Sequence, residues 1–424
     1  MTDQAEDPDR TVLFAPETFN LAEVTRGIEV ARRMPDGVRC HFMGYSHRYA
    51  SVITDAGFEL TLLDPELTDR EADQLLALDQ GRGVRHPFSE EMLGRRVTSE
   101  RALIRELGAS AVVIGTTLSQ LISARAECVP LVFVKPFAYS VAHVTAMRRT
   151  GLMPRSTRGA ALVDEVLAGI ARTAGPKIPL VPRSFPRVAR FHGVRLPTTA
   201  LHALDADLNL ITTAEHLLPA GVDLPASYRV VGPVFASLPG RVPALVDELA
   251  AAAEPLVYFA VGSSGGRDLV LSVLRGLGDA PCQVLAPVRA HLRDDDVAGL
   301  PENVHVTDWL PADRLGDAVD LAVTHGGEGT VQNSSTQGWP FIGIPLQMEQ
   351  RFNVQRCVDY GSARLVGPRR ARRADWSVLV SEALTDDRMR GRAAAMAAEL
   401  RDVDGPGAAA AEIAALVGWP EPTA

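Results

Sequence analysis

The sequence predicts an α/β protein built on two doubly wound parallel sheets. Three observations carry that reading. Strand-like apolar runs alternate with helical stretches along nearly the whole chain. The alternation breaks once, at a Pro- and Ala-rich stretch over residues 237–255. And 424 residues are too many for one ordinary core. Hydrophobic residues make up 46% and charged residues 22%, the balance of a globular protein rather than a disordered or fibrous one.

In order along the chain, residues 11–15 read as a short buried strand. Leu21, Val24, Ile28 and Ala31 then fall on one helical face, and residues 38–43 form a second strand. Strand, helix, strand is a βαβ unit whose crossover is right-handed. The pattern recurs at 111–115, 131–134, 208–212 and 228–231, and ends at Gly232-Pro233. The stretch 237–255 is a linker that includes a short helix. A second series begins with a strand at 256–261 and a glycine-serine turn, and continues at 282–286, 304–307, 321–324 and 341–344. The chain therefore divides into Rossmann-like halves facing across a cleft, with domains at 11–235 and 236–405. An Ala-rich C-terminal helix within 406–424 packs back on the N-terminal half. Ligands of such sheets bind at the carboxyl ends of the strands.

The net charge of -9 argues against nucleic acid or an anionic membrane surface as the main partner. Lys135 and Lys177 are the only lysines, which leaves few candidates for Schiff-base chemistry. Four scattered cysteines, at 40, 128, 282 and 357, have neither metal-ligand nor redox-motif spacing. The first ten residues are acidic and polar, unlike a signal peptide. No apolar run approaches the ~20 residues of a spanning helix. These features predict a cytoplasmic chain with no integral membrane segment, a monomer or homodimer, with no metal required by any motif.

The most informative segment runs from Thr324 to Gly361. His325, Gly326, Gly327, Glu328, Gly329 and Thr330 form a turn between a strand and a helix. Glycines there let backbone N–H groups approach a ligand closely, and a helix N-terminus favours an anion. His325 and Thr330 add side-chain donors, and the set suits a diphosphate. The turn is followed at fixed distances by Gly338-Trp339-Pro340, Pro345, Glu349-Gln350 and Asn353.

This composite resembles the donor-binding signature of the UDP-dependent glycosyltransferase superfamily, glycosyltransferase family 1, in its bacterial natural-product form. Its pattern is H-G-G-x-G-T, then G-x-P, P, an acidic residue with Gln, and Asn. Asp308-Trp309-Leu310-Pro311 resembles the family's W-x-P element, Val261-Gly262-Ser263-Ser264 its opening G-S-S turn, and Val231-Gly232-Pro233 the V-G-P ahead of the linker. The resemblance implies the two-domain GT-B fold and transfer of a sugar from a UDP- or dTDP-sugar to a small acceptor in secondary metabolism such as antibiotic biosynthesis, with inversion. The nucleotide sugar is a co-substrate, and no cofactor is implied.

Carried over residue by residue, the resemblance implies that Trp309 flanks or stacks on the base while the Leu310 backbone pairs with the base edge. His325, Gly329 and Thr330, with Ser263 and Ser264, hold the diphosphate, and Gly262 and Gly327 belong to the same donor site. Asn333 stands where relatives place a ribose-binding Glu, with Glu328 as a substitute. Glu349 and Gln350 bind sugar hydroxyls, for which a carboxylate beside an amide is suited.

The N-terminal half departs from the family. Relatives carry a general-base His in the first strand-to-helix loop, oriented by an Asp after a later strand. Here that loop reads Pro16-Glu17-Thr18-Phe19-Asn20-Leu21, with Phe19 or Asn20 at the position of the His, and the later strand runs into Gly115-Thr116-Thr117. Three readings stay open: Glu17 as an alternative base beside Asn20; an acceptor acidic enough to need little help; or a histidine from the acceptor loops, with His47, His86 and His143 as candidates. Phe19, Thr116, His143 and Arg148 are the candidate acceptor contacts. Arg148, Arg149, Arg155 and Arg158 together suit an anionic acceptor or form a solvated basic loop. Two other functions compete with sugar transfer: a nucleotide-sugar 2-epimerase and a non-catalytic nucleotide-sugar binder.

Overall fold

The computed structural model describes residues 10–79, 88–150, 158–179, 182–234, 241–262 and 265–419. The chain forms two compact units. One comprises Met1–Glu215, Pro219–Ala236 and Asp404–Ala424, the other His216–Leu218 and Ser237–Val403.

The first unit is built on seven parallel strands, β1 (Arg10–Ala15), β2 (Val38–Gly44), β3 (Glu59–Leu62), β4 (Ala109–Ile114), β5 (Leu131–Lys135), β6 (Leu208–Ile211) and β7 (Tyr228–Val230). Their order is β3-β2-β1-β4-β5-β6-β7, so the winding reverses between β1 and β4. The central strands β1, β4 and β5 read as largely apolar runs because both faces are covered. Alternate residues of β1 serve the two sides: Leu13 and Ala15 join one buried cluster, Val12 and Phe14 the other.

Helix α1 (Leu21–Ala31) opens at the reversal point. The Asn20 side chain caps it by accepting the Ala22 N–H at 3.2 Å, and Val24, Ile28 and Ala31 are buried as the periodicity requires. Helix α2 (Glu90–Leu107) is capped by Ser89 and stops at the left-handed Gly108. The C-terminal helix Gly405–Leu416 packs on α1, burying Ala409, Ala410 and Ile413 in the same cluster as Val24 and Ile28.

The second unit has six parallel strands, β8 (Leu256–Ala260), β9 (Gln283–Ala286), β10 (Val304–Val306), β11 (Leu321–Thr324), β12 (Phe341–Gly343) and β13 (Ala363–Leu365). Their order is β10-β9-β8-β11-β12-β13, and the reversal falls between β8 and β11. His216–Leu218 belongs to this unit: the Leu217 and Leu218 carbonyls accept from Arg356 at 2.7 and 2.9 Å. Helix α3 (Glu328–Gln337) follows β11, and helix α4 (Met348–Tyr360) follows β12. No helix among the described residues is long and apolar enough to cross a membrane.

Candidate functional site

The turn from β11 into α3 occupies the β8/β11 reversal point. The His325 N–H donates to the Ala260 carbonyl of β8 at 3.2 Å, which fixes the start of the turn. The His325 ring is wedged between two glycines. A Cβ on Gly262 would lie 2.9 Å from its Cε1, and one on Gly327 would lie 2.4 Å from its Nε2. Gly262 also has φ of +50°, a backbone that side-chain-bearing residues rarely adopt.

Gly327 is the N-cap of α3, so no side chain caps the helix. The first N–H groups of a helix have no intrahelical partner, and the first carbonyl to be used is that of Gly327, by Val331 at 3.0 Å. The Gly329 position is open: nothing lies within 4 Å of where its Cβ would be. Above this end sits His325, 7% exposed, whose Nδ1 is buried with no hydrogen-bond partner. Burial pushes its pKa down to about 4, against the opposing pull of the Ala260 contact. The ring is therefore neutral near pH 7 and presents one N–H donor and one acceptor. A positive helix end beside a neutral donor suits an anion whose charge lies on several oxygens.

Other expected donor residues divide. Trp309 stands just beyond β10 and is 53% exposed, whereas Trp339 and Trp376 are core residues. A large exposed indole on a loop is a surface on which a base can stack. The side chain of the next residue, Leu310, is buried. Glu328 lies in the first turn of α3 and Asn333 farther along it, both half-buried. Ser263 and Ser264 lie outside the described residues.

Two of the expected donor side chains make local hydrogen bonds. The Thr330 hydroxyl donates to the Gly327 carbonyl at 2.9 Å and accepts from Thr324 Oγ1 at 2.7 Å. It locks the turn, and its single proton is already committed. Gln350 is 2% exposed and its Oε1 accepts the Leu346 N–H at 2.9 Å, so that oxygen braces the loop ahead of α4. Glu349 is half-buried and accepts from Asn353 Nδ2, which also donates to the Gly326 carbonyl at 3.2 Å. Asn353 thereby ties α4 to the turn. His291, absent from the sequence expectations, holds the Gly262 carbonyl at 2.7 Å. It lies outside the composite motif, and no spacing pointed to it.

In the first unit Glu17, one of the three open readings for the base, points into the core. Glu17 is 2% exposed and its Oε1 pairs with Arg96 Nη1 at 2.8 Å. Arg96 is itself fully buried, its guanidinium 3.7 Å from the centre of the Tyr45 ring. A carboxylate turned inward onto a guanidinium is an internal ion pair, not a base for a diffusing substrate. Asn20 has no basic atom to offer: its side chain caps α1 and donates from Nδ2 to Glu23 at 3.1 Å. Phe19 is 6% exposed and belongs to the core, not to an acceptor surface.

Thr116 is half-buried and donates both its N–H and its hydroxyl to Glu23. His143 is half-buried, edge-on to Phe137 at 5.6 Å, and burial lowers its pKa to about 4. Arg148 is exposed, while Arg149 is held by the buried Asp164 at 3.0 Å. His47 is exposed and pairs with Glu66 at 3.2 Å. His86 and Arg155 lie outside the described residues. Among the described residues no cluster of three or more His, Cys, Asp or Glu side chains could hold a metal ion.

Comparison with known proteins gives these features a setting. Residues 272–416 match the family model described as the erythromycin biosynthesis protein CIII-like C-terminal domain. A PGL/p-HBAD biosynthesis glycosyltransferase of Mycobacterium tuberculosis is 27% identical over 393 residues, covering 91% of this chain and 87% of that protein. A PGL/p-HBAD biosynthesis rhamnosyltransferase of Mycobacterium bovis is 26% identical over 391 residues, covering 92% and 84%. Among solved structures, the glycosyltransferase SnogD from Streptomyces nogalater aligns with a TM-score of 0.65 at 18% identity, over 97% of this chain and all of that one. The glycosyltransferase VinC in complex with DTDP aligns with a TM-score of 0.68 at 16% identity, again over 97% of this chain. The glycosyltransferase resemblance and the GT-B fold class read from the sequence are borne out.

Proposed function

We propose that this enzyme of glycosyltransferase type binds a UDP- or dTDP-sugar in its second unit and transfers the sugar, with inversion, to a hydroxyl of a small natural-product acceptor. The observation that carries the reading is the uncapped start of α3 beside the buried, neutral His325. The diphosphate occupies that end, and the base lies against Trp309. As the bond from the anomeric carbon to the diphosphate breaks, the electron pair leaves with the nucleotide. The added negative charge is met by the helix N–H groups and the His325 ring. The acceptor oxygen takes the opposite face of the sugar and gives up its proton. The VinC complex supports dTDP as the nucleotide. A rhamnosyltransferase and a demethyllactenocin mycarosyltransferase of Streptomyces fradiae among the relatives support a deoxyhexose and a natural-product acceptor.

Product analysis tests this. The enzyme is incubated with UDP- and dTDP-hexoses, with and without a panel of hydroxylated aglycones. A new glycoside together with free nucleoside diphosphate supports transfer. An epimerised donor formed without acceptor points to a 2-epimerase, and nucleotide bound without turnover on any acceptor points to a binding protein.

Trp309→Ala separates binding from stability. The side chain is mostly exposed, so thermal stability changes by no more than ~0.5 kcal/mol. Loss of base stacking weakens nucleotide binding by ~1–3 kcal/mol, roughly five- to 150-fold. Thermal unfolding reads the first number and calorimetric titration the second, and unaltered affinity removes Trp309 from the base site.

A further inference from the structure

The β1/β4 reversal point of the first unit holds a carboxylate that the sequence reading passed over. Glu23 lies in the first turn of α1 and is 6% exposed. Its Oε2 accepts the Thr116 N–H at 2.8 Å and the Glu17 N–H at 3.1 Å. Its Oε1 accepts Asn20 Nδ2 at 3.1 Å and the Thr116 hydroxyl. The loop after β4 reaches the carboxylate because residue 115 is glycine: a Cβ there would lie 2.1 Å from Oε2. Thr116 and Asn20 are both half-buried, so the carboxylate communicates with the outside through these two side chains. A Thr hydroxyl that donates inward keeps lone pairs with which to accept from a substrate hydroxyl.

We propose that Glu23 receives the proton of the acceptor hydroxyl through the hydroxyl of Thr116, a relay that stands in for the absent His and Asp. The acceptor O–H donates to Thr116 Oγ1, and the proton of Thr116 passes to Glu23 Oε1. The acceptor oxygen bonds to the anomeric carbon, and the electron pair of the breaking bond leaves with the nucleoside diphosphate. This rests on the transferase reading above, and it places Thr116 against the acceptor with Glu23 as the proton's destination.

Burial raises the pKa of Glu23 to about 7, against the lowering by Thr116, and the neighbouring Glu17 adds to the rise. That value suits a proton acceptor working near neutrality. The charged groups around it are Glu17 from the loop after β1, Arg96 of α2 paired to Glu17, and Arg26 of α1, which lines a small cavity together with Glu23.

The test is the pH dependence of kcat/KM for sugar transfer in wild type, Glu23→Gln, Thr116→Val and Thr116→Ser, with nucleotide affinity measured on each. Wild-type kcat/KM rises with pH to a plateau above about 7, because the base must be deprotonated. Glu23→Gln and Thr116→Val lose about 10²–10⁴-fold and lose this limb, while nucleotide affinity holds. Thr116→Ser, which keeps the hydroxyl, restores it. Infrared difference spectra between pH 5.5 and 8.5, roughly 1.5 units either side of the raised value, provide a readout free of activity. Among the described residues Glu100 is also raised to about 7, so Glu23→Gln weakens the carboxyl signal rather than abolishing it. Wild-type rate and limb retained in either Glu23→Gln or Thr116→Val, or an unchanged carboxyl signal in Glu23→Gln, overturns the relay. Absence of transfer by wild type on every acceptor, with the carboxyl signal weakened as expected, counts instead against the transferase reading.

Discussion

Arg96→Leu destabilises the protein by ~3–5 kcal/mol, the usual loss when one partner of a buried ion pair is removed. Arg96 is fully buried and Glu17 is 2% exposed, so solvent does little to screen the pair. The substitution leaves the Glu17 carboxylate in the core without its counter-ion. It also strips the guanidinium from the faces of Tyr45 and Phe88, which lie 3.7 and 4.9 Å from it. At ~2–4 °C per kcal/mol for a unit of this size, the melting temperature falls by roughly 6–20 °C. Glu17→Gln is milder, because a neutral amide tolerates burial better than an orphaned charge. The double variant Arg96→Leu, Glu17→Leu recovers much of the loss, as a well-packed apolar pair often matches a buried ionic one. A wild-type melting curve for Arg96→Leu shows that the pair does not hold the first loop. The same measurement separates the structural assignment of Glu17 from a catalytic one, since a free base at that position leaves stability nearly unaltered.

Gly327→Ala lowers nucleotide affinity at least tenfold, about 1.4 kcal/mol. The backbone at residue 327 has φ of -60°, which alanine accepts without strain. The conflict is with the ligand site: the new Cβ would lie 2.4 Å from His325 Nε2 and 3.0 Å from Cε1. On its other side the ring packs close to residue 262, where a Cβ would come within 2.9 Å of Cε1. His325 must turn, and its ring leaves the helix end. Folding stability falls by only ~0.5–2 kcal/mol, the range for alanine at an N-cap. Gly329→Ala is the control for the fold, since its Cβ meets nothing within 4 Å and alanine favours the helix by ~1 kcal/mol. Unchanged nucleotide affinity in Gly327→Ala removes His325 from the diphosphate site.

The central strands were legible because burial on both faces leaves continuous apolar runs, as in β1, β8 and β11. The edge strands β3 and β13 were not. Glu59–Leu62 alternates polar and apolar residues on a partly open edge, and Ala363–Leu365 is only three residues long. The turn around His325 was legible as a composite of glycines and spacings. Which of its polar side chains face a ligand was not. Thr330 and Gln350 carry the right chemistry, but local backbone groups claim their atoms, and only the folded turn reveals that competition. The first loop failed for a related reason. Glu17, in the loop, is turned inward to an arginine 79 residues away, while Glu23, inside an amphipathic helix, faces the reversal point. Periodicity marks Glu23 as the neighbour of the buried Val24, but nothing local pairs it with Thr116, 93 residues on.

Calorimetric titration of the wild-type chain with UDP, dTDP, GDP and ADP tests the donor site most directly. Saturable one-to-one binding of UDP or dTDP, lost or weakened at least tenfold in His325→Ala, is the expected result and selects the donors for acceptor screening. Failure of all four nucleotides to bind at millimolar concentration, or binding that His325→Ala leaves intact, contradicts a nucleotide-sugar site at the start of α3.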